Sequence, residues 1–224
     1  MSGNGRIDYY FWHMSDWAYF GHPRLEQIAD RQGVSIDYMP VDLPHVYTRT
    51  GGILLPLRAK ERQDYRFFEL KRFREQLGIP LNLEPKFFPV SGDLASCVTI
   101  AAKRRGLPLA RLVPAMMRAV WAEDRDVSNA ETVAAVATEV GLDGEALVRD
   151  AAADDVKAEY RRYTDEAIGR GVFGSPFYFF EGERFWGQDR LEHLERAIEK
   201  ARWERDGRRC GRREAWVQIT SFII

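Results

Sequence analysis

The sequence is short of cysteine, with two in 224 residues, Cys97 and Cys210, far apart and in no C-x-x-C pair. That scarcity excludes a disulfide framework, a cysteine-based zinc site and dithiol redox chemistry by the usual exchange. Cys97 falls in the apolar helical pattern LASCVTIAA and reads as a small core residue. A charge of one sign is missing too. Lys and Arg total 33 against 34 Asp and Glu, a formal net charge of −1, so nothing recommends nucleic acid or an anionic membrane as a partner. No apolar run approaches the ~20 residues of a membrane span. The opening MSGNGRID lacks the apolar core of a secretory leader, and the expectation is a cytoplasmic protein.

What is present is an ordinary globular composition, 45% apolar and 30% charged. RIDYYFW (6–12) is strand-like. Ser15 and Asp16 offer helix N-cap side chains. Ala18, Gly21, Leu25, Ile28 and Ala29 follow at helical spacing as far as Gly33, with Pro23 either kinking the helix or starting it. VSIDYMPVDL (34–43) reads as a second strand stopped by Pro44. The opening is therefore β-α-β, a parallel pair with a right-handed crossover.

A helical block comes next. The stretch 57–78 carries Tyr65, Phe68, Phe73 and Leu77 on one side, and 81–89 is extended and proline-punctuated. Leu94 to Lys103 is an apolar helix, and Leu109 to Trp121 has apolar residues at i, i+3, i+4, i+7. Ser128 with Glu131 forms a capping box. Two further helical segments run from Asp143 to Gly169. The chain then returns to sheet. FYFFE (177–181) and RFWG (184–187) flank Gly182-Glu183 as a hairpin, and Asp189 can cap a last helix through Leu191, Leu194, Ala197 and Ile198.

This order is that of an α/β thioredoxin fold with an inserted all-helical domain, as in DsbA. The expected division is a thioredoxin-like unit of 1–50 plus 168–202, a helical insertion of 51–167, and a tail, 203–224, with a basic stretch and an apolar, β-prone end. The fold order also accounts for Pro176. Proline has no N–H and is excluded from the middle of a sheet, but here it lies just before the ladder. In thioredoxin folds this position is a cis proline facing the start of the first helix, and X-Pro is the bond at which cis is accessible. The backbone of Ser175 is expected to be exposed there for an extended, peptide-like ligand.

Three segments, FWHMSDWAYFGHPRLEQIA, RTGG…YRFFELKRFREQLGIPLNLEPKFFP and GVFGSPFYFFEGERFWGQDRLEHL, together resemble the 2-hydroxychromene-2-carboxylate isomerases. These stand beside the kappa-class glutathione transferases in the DsbA-like branch of the thioredoxin superfamily. The resemblance implies glutathione as cofactor, an aromatic carboxylate as substrate, and a homodimer. Ser15 would donate to the thiolate at the helix start, where an anion is favoured. Ser175 and Pro176 would face the cysteinyl backbone. Gly187, Gln188, Asp189 and Arg190 would hold the γ-glutamyl end. Trp12, Tyr47, Gly51, Gly52, Phe87 and Phe88 would line the substrate pocket, with Arg49, Lys60 and Arg62 as candidate cations for its carboxylate. No metal is implied. His13 and His22 flank Ser15, but the family uses no histidine there and both read as structural. Trp186 and Phe185 read as hairpin packing. Three positions depart from the family pattern: Asp16 replaces a proline, Gly52 an asparagine, and the lysine expected before the long helix is replaced by Arg62 or shifted to Lys60. The implied reaction is a cis–trans isomerisation by reversible thiolate addition. A kappa-like transferase or peroxidase, or a non-catalytic DsbA-like binding module, are the alternatives.

Overall fold

A computed structural model describes residues 5–220, with side chains through residue 205. Strand β1 (Arg6–Phe11) is followed by helix α1 (Asp16–Gln32) and strand β2 (Ser35–Pro40). Seven helices then precede the return to sheet: α2 (Leu43–Thr50), α3 (Lys60–Leu77), α4 (Asp93–Arg104), α5 (Leu109–Trp121), α6 (Ala130–Glu139), α7 (Gly144–Ala151) and α8 (Asp154–Gly169). Strands β3 (Phe177–Phe180) and β4 (Glu183–Trp186) and helix α9 (Leu191–Thr220) complete the chain. Short 3-10 turns lie at Leu55–Leu57 and Gln188–Arg190. The fold is the DsbA-like thioredoxin fold, with α2 to α8 inserted between the two halves of one sheet.

The sheet order is β2-β1-β3-β4. β1 runs parallel to β2 and antiparallel to β3, and β3 runs antiparallel to β4. As a central strand β1 is covered on both faces, and Ile7, Tyr9, Tyr10 and Phe11 are all fully buried. On one face Tyr9 stacks on Phe11 and on Tyr178, with ring centroids 4.6 and 5.3 Å apart, and α1 brings His22 against it. On the other face Arg170 lies 3.8 Å over the ring of Phe179. Its Nη1 donates to Asp8 Oδ2 at 2.7 Å, and Tyr10 donates to Glu166 at 2.6 Å.

Helix α1 passes unbroken through Pro23 and ends at Gly33, whose φ of 65° is the left-handed closure glycine adopts freely. Pro44 does more than stop a strand. It occupies the first turn of α2, where a missing N–H costs nothing, and Asp42 caps that helix by accepting from His45 N at 3.0 Å. Sequence reading missed this helix.

Helix α3 starts at Lys60, and its buried side is rotated from the expected one. Leu70 is buried and Phe73 and Leu77 pack on the core, while Tyr65 and Phe68 are each 57% exposed. The expected capping box is replaced by Asn129, which accepts from Thr132 N at 3.0 Å, while Ser128 donates to Asp126. The stretch expected to be a β-prone tail continues α9 as far as Thr220; residues 221–224 and the Cys210 side chain lie outside the described residues. Cys97 is buried in α4, and burial pushes its thiol up to about 11. Among the described residues no helix is long and apolar enough to cross a membrane.

Candidate active site

A cavity of about 570 Å³ opens where the end of β1, the start of α1 and the bend before β3 meet α3 and the two 3-10 turns. That volume is in the range of small-molecule sites.

Ser15 stands at its floor as the N-cap of α1. Its N–H donates to Trp12 O at 2.9 Å, its hydroxyl oxygen accepts from Ala18 N at 3.1 Å, and its own proton goes to Ser175 O at 3.0 Å. Trp12 N in turn donates to Ser175 Oγ at 2.9 Å. Two segments 160 residues apart in sequence are thereby stitched side by side. The Ser175-Pro176 peptide is cis, and Pro176 O accepts from Gly187 N at 3.0 Å. The expectation of an exposed Ser175 backbone is corrected: the residue is buried and its carbonyl is already paired with Ser15.

Two glycines shape the rim. A Cβ on Gly174 would overlap the indole of Trp186. Glycine there lets Trp186, 52% exposed, lie across the bend and line the cavity beside Phe173. Trp186 is therefore more than hairpin packing. Gly187 has a φ of 99°, a backbone conformation that strains any side-chain-bearing residue.

Beyond Gly187 the turn places Asp189 and Arg190, paired at 2.6 Å and each about half exposed, at the cavity edge. Asp189 lies inside the 3-10 turn, with its side chain paired to Arg190. Gln188 is buried, and both its side-chain and backbone oxygens accept from Arg24 Nη1, at 3.0 and 3.2 Å.

Of the predicted substrate residues, Trp12, Tyr47 and Phe88 line the cavity. The rest are elsewhere. Arg49 and Arg62 are exposed, and Lys60 pairs with Asp64 at 2.8 Å on the solvent side of α3. Phe87 lies under Lys86. Gly51 closes α2 with a φ of 75°. Gly52 acts from behind: a Cβ there would overlap the Tyr47 ring, so its lack of side chain is what seats Tyr47. Burial raises the Tyr47 hydroxyl pKa, with Arg58 opposing.

Besides Arg190, the cations that line the cavity are Arg58 and Arg66. Arg58 is fixed by donating from Nε to Ile53 O at 2.8 Å. Arg66 reaches Asp16, donating from Nε to Oδ2 at 2.7 Å with Nη2 at 2.6 Å from the same oxygen, while Asp16 Oδ1 accepts from Trp17 N at 2.8 Å. Sequence reasoning missed Arg66; the one signal for it is that it precedes Phe73 by seven residues, on the same helix face. His13 and His22 do not line the cavity. His13 is fully buried within 3.2 Å of Ser96 Oγ and of Thr99 Oγ1, and burial pulls its pKa down to about 3.

Residues 6–199 match the family described as a DSBA-like thioredoxin domain. A 2-hydroxychromene-2-carboxylate isomerase of Sphingobium xenophagum is 30% identical over 191 residues, covering 84% of this chain and 95% of that protein. The glutathione S-transferase kappa 2 of Caenorhabditis elegans is 26% identical over 203 residues, with 84% and 89% covered. A solved 2-hydroxychromene-2-carboxylate isomerase superposes with a TM-score of 0.76 at 28% identity, over 90% of this chain and 98% of that one.

Proposed function

This chain belongs to the DSBA-like thioredoxin family and, within it, to the 2-hydroxychromene-2-carboxylate isomerases; on that premise we propose that it is a glutathione-dependent cis–trans isomerase of an aromatic-catabolism intermediate. The observation that carries this reading is the Ser15 hydroxyl, held 3.0 Å from the Ser175 carbonyl at the start of α1 and facing an aromatic-walled cavity. The redox cysteine pair of a disulfide oxidoreductase is absent from the sequence, so sulfur chemistry here needs a thiol from outside.

The residues present fit glutathione. A helix start and a hydroxyl favour a thiolate, and Asp189 with Arg190 offers a carboxylate for the ammonium and a guanidinium for the carboxylate of the γ-glutamyl end. Glutathione, when bound, supplies a sulfur that adds to a conjugated double bond and leaves again. Ser15 turns its proton from Ser175 O toward that sulfur. Trp12, Tyr47, Phe73 and Phe88 exclude water and stack on the aromatic ring. Arg58 holds the carboxylate of the ring-opened substrate and the charge that grows on its neighbouring carbonyl oxygen, in a site where such a charge–charge contact is worth more than in water. No atom is gained or lost over the cycle, as an isomerisation requires. The same reading includes a cytoplasmic setting, where thiols stay reduced, and a homodimer.

Retention on immobilised glutathione tests it. The wild-type protein is expected to be retained and eluted by free glutathione, and Asp189→Ala to run through. If both run through, glutathione is not the cofactor.

A further inference from the structure

The residue that follows Ser15 should work against the proposed chemistry. Asp16 is the first residue of α1, and its side chain is only 9% exposed. A carboxylate suits a helix N-terminus on its own account. Beside a thiolate at the same helix start it is a like charge, which raises the thiol pKa. The structure supplies a compensating partner from 50 positions further along. Arg66 Nε donates to Asp16 Oδ2 with Nη2 at ion-pair distance from the same oxygen, and the Arg66 side chain is only 10% exposed. The guanidinium is also caged by aromatic faces, 5.5 Å from the centroid of Phe88 and 5.6 Å from that of Trp121. A pair this enclosed is weakly screened by salt.

Building on the glutathione reading, we propose that Arg66 is a positioning residue that acts through Asp16: it neutralises the carboxylate next to Ser15 so that a bound thiol still ionises at neutral pH. The other charged and titratable groups that line the cavity are few. Asp189 and Arg190 pair with each other. The Tyr47 hydroxyl, its pKa raised by burial, is uncharged at neutral pH. Arg58 and, one helical turn beyond Arg66, Glu69 complete the set. None of these contacts Asp16 in place of Arg66.

The test is the ultraviolet absorbance of the glutathione thiolate in the binary complex, titrated between about pH 5 and pH 9, with melting temperature and glutathione affinity measured alongside. Arg66→Met is expected to raise the thiol midpoint by roughly one pH unit. Asp16→Asn, which leaves Arg66 unpaired beside the sulfur, is expected to lower it. The double variant is expected to return close to wild type, because removing both charges cancels the two opposite shifts. Should Arg66→Met fail to fold, the opposite shift in Asp16→Asn and the recovery in the double variant still decide the matter. A wild-type midpoint retained in every variant, with only the melting temperature lowered, makes the pair a structural tie and overturns the proposal. A wild-type complex with no thiolate band overturns the glutathione reading itself, and this role with it.

Discussion

Buried polar side chains beside Ser15 set how single residues respond to pH and to substitution. His13 is neutral because burial, and secondarily His22, pulls its pKa from 6.5 down to about 3. The unfolded chain takes up that proton near 6.5 and the folded chain does not until about 3. The stabilisation is therefore complete above the higher value and declines as the pH falls toward the lower one, at up to about 1.4 kcal/mol per pH unit. Denaturant unfolding across this range is expected to show that slope, and His13→Asn to flatten it. Gly52 gives a second case. Gly52→Ala forces the Tyr47 ring from its seat, and KM for the aromatic substrate is expected to rise roughly tenfold with glutathione affinity unchanged by calorimetry. At this scale Ser15, Pro176 and the Gly187–Arg190 turn were legible, because capping, proline chemistry and a tight turn are local rules. The cations were not. Arg49, Lys60 and Arg62 are solvent-facing, and whether an arginine faces a cavity depends on helix phase and on what the next segment covers.

Elements show where local rules compete. Ser128 and Asn129 both qualify as the cap of α6, and the capping-box pattern favours Ser128, but only Asn129 meets the helix amides. Asn129→Ala is expected to cost about 1 kcal/mol and Ser128→Ala to stay within about 0.5 kcal/mol, read by urea unfolding. Helix α3 shows the cost of a broken stripe. Of the expected side Tyr65, Phe68, Phe73 and Leu77, the last two pack inward and the first two are exposed, while Arg66, Glu69 and Phe73 line the cavity. One residue is 100° of rotation on a helix, so an apolar stripe broken by charged residues leaves its face ambiguous. α2 was unreadable for a different reason: Pro44 both ends an extended run and begins a helix, and eight residues give little periodicity to tell the two apart.

Across the whole molecule the order β-α-β, helices, β-β-α was legible from the strands and turns alone, and it is what carries residues 12–15 to residue 175. The chain closes that gap through a central strand that pairs with both halves of the sheet, and three hydrogen-bonded groups, Trp12 N, Ser15 Oγ and Ser175, hold the corner. Ser15→Ala removes the donor without opening the corner, since the Trp12–Ser175 bond remains. The expected result is a roughly hundredfold lower glutathione-dependent rate, with a stability loss of only about 1 kcal/mol. The most direct measurement is the conversion of 2-hydroxychromene-2-carboxylate, followed by absorbance, by the wild-type protein with and without glutathione. Turnover that requires glutathione is the expected result; equal rates in its absence, or no turnover with it, contradict a borrowed thiol at the Ser15 corner.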